Sequence, residues 1–172
     1  MTRLMMVAVA VVLLALARPA AAEVQPGDDG LYHADWMVMS LGDLRDDAAD
    51  AAAAGKRFAV VWEQKGCSYC RRLHTQVLAD PAISGWIKAH YALLQLDLHG
   101  GRVMTDFDGE RLSEAALARK YAIHTTPTVQ FFPKDPKTIL GRSGPAIEVA
   151  RMPGLLQPAD FLDMFRSVAA GK

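Results

Sequence analysis

Cysteine is almost absent: the chain has two in 172 residues, Cys67 and Cys70, three positions apart. A disulfide closing so short a loop constrains the unfolded chain little, and a chain of this length, 51% hydrophobic, folds without a staple. The pair therefore reads as reactive rather than structural. Net charge is also missing, with 19 basic residues against 19 acidic. That balance argues against nucleic acid as the main partner, because phosphate binding relies on dense positive charge. There is no internal repeat, low-complexity linker or second-domain break, so one globular domain is expected. The only long apolar run, Leu4 to Ala17, is short for a membrane span. It follows the basic start Met1-Thr2-Arg3 and precedes Ala20-Ala21-Ala22. Residues 1–22 thus read as a cleavable secretory signal peptide, with an uncleaved anchor as the rival reading.

Other absences narrow the cysteine chemistry. Haem attachment needs histidine directly after the second cysteine, where this chain has Arg71. Structural zinc needs two more ligands, and His74, one helical turn on, offers only one; it reads as a surface or packing histidine. Asp106-x-Asp108-Gly109 lacks the ligand spacing of a calcium loop and reads as a turn around Phe107. No metal and no cofactor beyond the cysteine pair is expected. A dithiol alone does suit soft Cu(I), so a non-catalytic Cu(I)-binding chaperone stays open as an alternative from a different class.

The chain is organised around Trp62 to His74. Phe58 to Trp62 is an apolar, β-branched and aromatic run that predicts a buried strand. After it, Cys70, Leu73 and Val77 fall on one face of a predicted helix. Cys67 then stands near the helix N-terminus, where unpaired N–H groups and nearby Lys65, Arg71 and Arg72 favour a thiolate. Cys67 is the expected nucleophile, and Cys70 the thiol that resolves its mixed disulfide.

Around this centre, residues 23–35 read as a flexible mature N-terminus and 36–172 as the domain. Leu41, Leu44, Ala48 and Ala51 keep helical spacing up to Gly55, with Asp43, Asp46, Asp47 and Asp50 as a solvated face. Asp80-Pro81 opens a second helical piece, and Ala92 to Leu98 predicts a strand parallel to the first. His99 to Leu112 reads as loop, Ser113 as the cap of a helix to Tyr121, and Thr128 to Phe132 as a strand. Thr138 to Leu140 is a candidate addition to a hairpin whose return strand is Ile147 to Met152. Pro158 opens a last helix with Phe161, Phe165 and Val168 buried.

Strand, C-x-x-C, helix and a later Thr126-Pro127-Thr128 before another apolar strand resemble the thioredoxin superfamily. Glu63-Gln64-x-Gly66-Cys67-x-Tyr69-Cys70, Thr105 to Gly109, Leu112-Ser113-Glu114 and Arg151-Met152-Pro153-Gly154 resemble the periplasmic thioredoxins of the SoxW type, encoded with bacterial sulfur-oxidation systems. The resemblance implies an α/β thioredoxin-like fold, a central mixed β-sheet flanked by helices. It implies a periplasmic thiol–disulfide oxidoreductase, here a reductase cycling between a Cys67–Cys70 disulfide and a dithiol. Its partners would be periplasmic protein disulfides, with an integral-membrane thiol transporter as reductant, and the protein would be a monomer. A disulfide-forming oxidase or isomerase is the alternative within the enzyme class; the best-known periplasmic oxidases carry a long helical insertion that this chain lacks.

The resemblance also implies that the Thr126–Pro127 bond is cis and lies against the cysteines, leaving backbone free to pair with an extended partner segment. Thioredoxins carry a buried carboxylate on the strand before their cysteines. Here no carboxylate appears before Glu63, which is either a partly buried acid/base group or a solvated residue at the strand end. Trp62 either covers the site, as a substrate contact, or fills core, and Tyr69 is an exposed contact for a partner.

Overall fold

Six consecutive residues of one strand, Phe58 to Glu63, are buried, and the fold is layered around them. The computed structural model describes residues 25–172, so the signal-peptide reading of residues 1–22 lies outside the described residues. Side chains alternate along a strand. In β1 (Arg57–Glu63), Phe58, Val60 and Trp62 therefore join one apolar cluster, while Ala59 and Val61 join another on the opposite face. β1 pairs in parallel with β2 (Tyr91–Asp97) and antiparallel with β5 (Thr128–Phe131), which pairs antiparallel with β6 (Ala150–Pro153). The sheet order is β2-β1-β5-β6. A mixed sheet with helices on both faces is a thioredoxin-like fold, as the resemblance implied.

One face is covered by α1 (Leu44–Ala53) and α4 (Glu114–Lys120), through Leu44, Ala48, Leu117 and Tyr121. The other is covered by α2 (Ser68–Arg72) with its π-helical continuation Leu73–Val77, by α3 (Pro81–His90) and by α5 (Pro158–Ala169). The connection from β1 to β2 runs through α2 and α3, the helical crossover that two parallel strands need. Phe131 and Phe165 meet edge to face, with centroids 4.8 Å apart, at the centre of this second layer.

The structure corrects several local expectations. Leu41 lies ahead of α1 and is fully exposed, because Asp43 caps the helix: its side chain accepts from the Arg45 N–H. Asp47 is buried rather than solvated, and the Ser40 hydroxyl donates to it at 2.6 Å. The stretch read as loop contains a hairpin, β3 (Val103–Thr105) with β4 (Arg111–Ser113), whose turn holds the buried Phe107. Residues 136–139 form a 3-10 turn that plugs Ile139 into the core instead of extending a hairpin. A second 3-10 turn at Pro145–Ile147 delays β6 to Ala150. A proline opens each turn, and proline gives no N–H to a ladder.

Asp43→Ala is expected to cost about 1 kcal/mol through the lost cap. Hydrogen bonding to Arg45 holds the Asp43 carboxyl below its ordinary value. Its charge-dependent contribution is therefore present above the ordinary carboxylate range and lost as pH falls through the depressed value. In thermal unfolding, the gap between Asp43→Ala and wild type should be widest near neutrality and narrow in acid. A gap that grows on acidification would contradict this.

Candidate active site

Strand pairing brings two motifs 59 residues apart in sequence into contact. β1 ends where β5 begins, with Trp62 opposite Thr128, so the turn after Glu63 faces the segment before Thr128. In that turn Gly66 has a φ of +71°, a left-handed conformation that favours glycine and swings the chain into α2. Cys67 is the N-cap of α2, and the Cys70 N–H donates to its Sγ at 3.0 Å. In the dithiol state the same N–H would stabilise a Cys67 thiolate.

Cys67 and Cys70 are joined in a disulfide. Cys67 keeps 9% of its surface exposed, whereas Cys70 keeps 1% and faces the core beside Leu73. Thr126 lies over the exposed sulfur: its hydroxyl donates to Cys67 Sγ at 3.4 Å, and its carbonyl oxygen sits 3.6 Å from the same atom. The Thr126–Pro127 bond is cis. Pro127 is buried, and its carbonyl accepts from the Gly154 N–H at 2.8 Å, which ties this loop to the end of β6.

Tyr69 is 55% exposed, and the Arg72 guanidinium stands 5.8 Å from its ring centroid. Beside them runs a groove of about 180 Å3, lined by Tyr69, Arg72, Gln76 and the Leu155–Pro158 segment. Trp62 is not part of this surface, which corrects its assignment as a substrate contact. It is 1% exposed on the α1–α4 face, and its indole N–H donates to Gln130 Oε1. The alternation of β1 decides this: Trp62 has the parity of Phe58 and Val60, opposite to the face that carries α2.

Glu63 has the other parity and is completely buried, so the solvated reading fails. Its Oε1 lies 2.8 Å from Nε2 of His74, itself 3% exposed, while its Oε2 is buried without a hydrogen-bond partner among the described residues. His74 was expected at the surface or in packing, and it packs. The sequence signal for its burial is its place four residues after Cys70 and one after Leu73, at the edge of the buried stripe. Among the described residues, no three His, Cys, Asp or Glu side chains cluster as a metal site.

Residues 44–169 match the thioredoxin-like domain family. Among solved structures, the chain is similar to a thioredoxin from Thermus thermophilus, with 28% identity and a TM-score of 0.55 over 78% of this chain and 95% of that one. It is also similar to a thioredoxin-fold protein from Helicobacter pylori, with 22% identity and a TM-score of 0.54 over 67% of this chain and 70% of that one. No curated protein gives a significant match.

Proposed function

The chain belongs to the thioredoxin-like domain family, and from that premise we propose that it is an exported protein-disulfide reductase. A C-x-x-C disulfide on this fold fits a thiol–disulfide oxidoreductase. The reducing direction, the periplasmic setting and a role beside sulfur oxidation are supported by the export signal read from residues 1–22 and by the likeness to SoxW-type sequences around Glu63–Cys70 and Arg151–Gly154.

The observation that carries the reading is the inequality of the two sulfurs. In the reduced protein the Cys67 thiolate attacks one sulfur of a partner disulfide, and the partner's other sulfur leaves as a thiolate. Cys70, covered until then, loses its proton and attacks Cys67 Sγ. The Cys67–Cys70 bond forms, the mixed disulfide breaks, and the partner leaves with both sulfurs reduced. Thr126 and Pro127 hold the partner's extended segment against Cys67, and Tyr69 contacts it from α2. The oxidised protein is then re-reduced by a thiol donor, which outside the cytoplasm would be a membrane thiol transporter.

The test is the reduction potential of the Cys67–Cys70 couple, set by equilibration with dithiothreitol or glutathione buffers and read by thiol trapping. A value near about −270 mV is expected for a reductase, whereas one near about −120 mV would mark a disulfide-forming oxidant and overturn the direction. Metal content of protein purified without added metal separates both from Cu(I) carriage, because a carrier holds metal that the Cys→Ser variants lose.

A further inference from the structure

Most buried ionisable side chains among the described residues have ordinary partners. Asp47 is met by Ser40, Asp106 by Lys120 and Tyr121, and Glu114 by Arg102. Glu63 and His74 differ. They lie beneath the redox helix, they bind each other, and Glu63 keeps one buried oxygen unpartnered. A buried polar atom left without a partner is destabilising and rare in folded proteins. His74 stands one turn below Cys70 on the same buried face, in a π-helical turn of the kind that recurs at functional sites.

The resemblance gives the Cys70 proton to a buried carboxylate, here Glu63; we propose that His74, through its hydrogen bond to Glu63, fits this carboxylate to accept that proton in the resolving step, an inference that rests on the oxidoreductase reading above. His74 is a positioning residue, since it acts through Glu63. A lone carboxylate in a dry site holds its proton, because burial disfavours the charged form, and a group already protonated accepts nothing. Glu63 is not alone: the His74 ring nitrogen 2.8 Å from its Oε1 is a buried partner able to carry a compensating positive charge. When Cys70 attacks, its S–H proton passes to Glu63 and its electron pair forms the bond to Cys67 Sγ. The electrons of the broken mixed disulfide leave on the partner's sulfur, which takes a proton from solvent. The proton taken up at Glu63 afterwards returns to water.

Other groups border the site. Asp97 stands beside Glu63 in the β1–β2 register, and the Tyr32 ring centroid lies 6.1 Å from that of His74. Lys65, Arg71 and Arg72 flank the cysteines in sequence. The buried residues of α3 and α5, which pack on this face, are not titratable.

Stopped-flow mixing of the reduced protein with 5,5′-dithiobis(2-nitrobenzoate) reads the two steps separately. Attack by Cys67 releases one coloured thiolate, and resolution by Cys70 releases the second. His74→Gln and Glu63→Gln should each slow the second release by about tenfold or more at pH 7 while leaving the first unchanged. In both variants the second rate should climb with pH over a range where the wild-type rate is level. The double variant should be no slower than either single one, because the two residues act as a unit. A wild-type second phase in folded His74→Gln, or equal slowing of both phases, would overturn the proposal. Should these variants fail to fold, Glu63→Asp decides: a carboxylate drawn back from His74 should slow the second release alone, and a second phase at the wild-type rate would overturn the relay. A wild type that reacts no faster than a simple dithiol in either phase sinks the oxidoreductase reading instead.

Discussion

Cys70→Ser protein, mixed with a disulfide-bonded substrate, should accumulate a covalent mixed disulfide, and Cys67→Ser protein should not. Turnover should fall to the background of a simple dithiol in both. The asymmetry follows from access. Cys67 retains exposed surface under the Thr126 loop and receives the Cys70 N–H, so it forms the first bond whether or not residue 70 is a thiol. Serine at 70 is a poor nucleophile towards sulfur, so the complex persists on the minutes-to-hours scale of uncatalysed disulfide rearrangement. Serine at 67 leaves only a thiol buried to 1% exposure, which no folded partner reaches. Non-reducing gels and mass spectrometry after alkylation provide the readout. Equal trapping by the two variants would mean that both sulfurs are open to partners, and the assignment of roles would collapse. Both variants should unfold close to the reduced wild type, which lacks the disulfide as they do, and not far below the oxidised protein, because a loop this short limits what the disulfide adds.

The centre of the molecule is legible in sequence because its signals are local. A run of apolar residues from Phe58, a glycine before the first cysteine and the apolar stripe Cys70–Leu73–Val77 each specify one element, and their order specifies the junction. What lies across the sheet is not local. Whether Trp62 or Glu63 faces the redox helix depends on which parity of β1 meets α2, and both faces of this central strand are covered, so the run shows no alternation to read. The run alone therefore leaves Trp62 open between covering the site and filling core, and Glu63 between core and solvent. The hairpin of β3 and β4 escaped notice for a different reason: three-residue strands are too short for a period to register. The aspartates ahead of and within α1 have one composition but separate fates, Asp43 as cap and Asp47 buried under Ser40, and only the packing of the N-terminal segment separates them.

The residue that hides most behind a bland sequence is Asp106, read from spacing as part of a turn, and Asp106→Ala should be among the most destabilising substitutions in the domain. Its carboxylate is fully buried and accepts from four groups: the Phe107 N–H and the Tyr121 hydroxyl, each at 2.7 Å, the Ser143 hydroxyl, and Lys120 Nζ at 2.8 Å. These donors come from the β3–β4 hairpin, α4 and the turn before β6, so one side chain ties three segments to the face opposite the disulfide. Burial, and then the neighbouring Asp106 charge, push the Tyr121 hydroxyl well above its ordinary value, so Tyr121 remains a donor and cannot compensate by ionising. Burial works against the charge of Lys120, but hydrogen bonds to Asp106, Asp108 and Glu110 outweigh it and hold its pKa above the usual lysine range. Alanine at 106 strands the buried donors, and removing one partner from a buried ionic network costs about 3–5 kcal/mol. That is a large share of the roughly 5–15 kcal/mol typical of a domain. Asp106→Asn keeps an oxygen for Phe107 and Tyr121 but sets an NH2 where Ser143 and Lys120 meet the second oxygen, so it strands fewer donors than alanine and should cost less, about 1–3 kcal/mol. Guanidinium unfolding of the two variants should shift the midpoint in that order with the slope unchanged. The folded fraction should keep the wild-type rate of reaction at Cys67, because nothing in this network touches the redox helix. An Asp106→Ala variant within about 1 kcal/mol of wild type would mean that water replaces the carboxylate at little cost, and that the hairpin is held by Met104 and Phe107 packing alone.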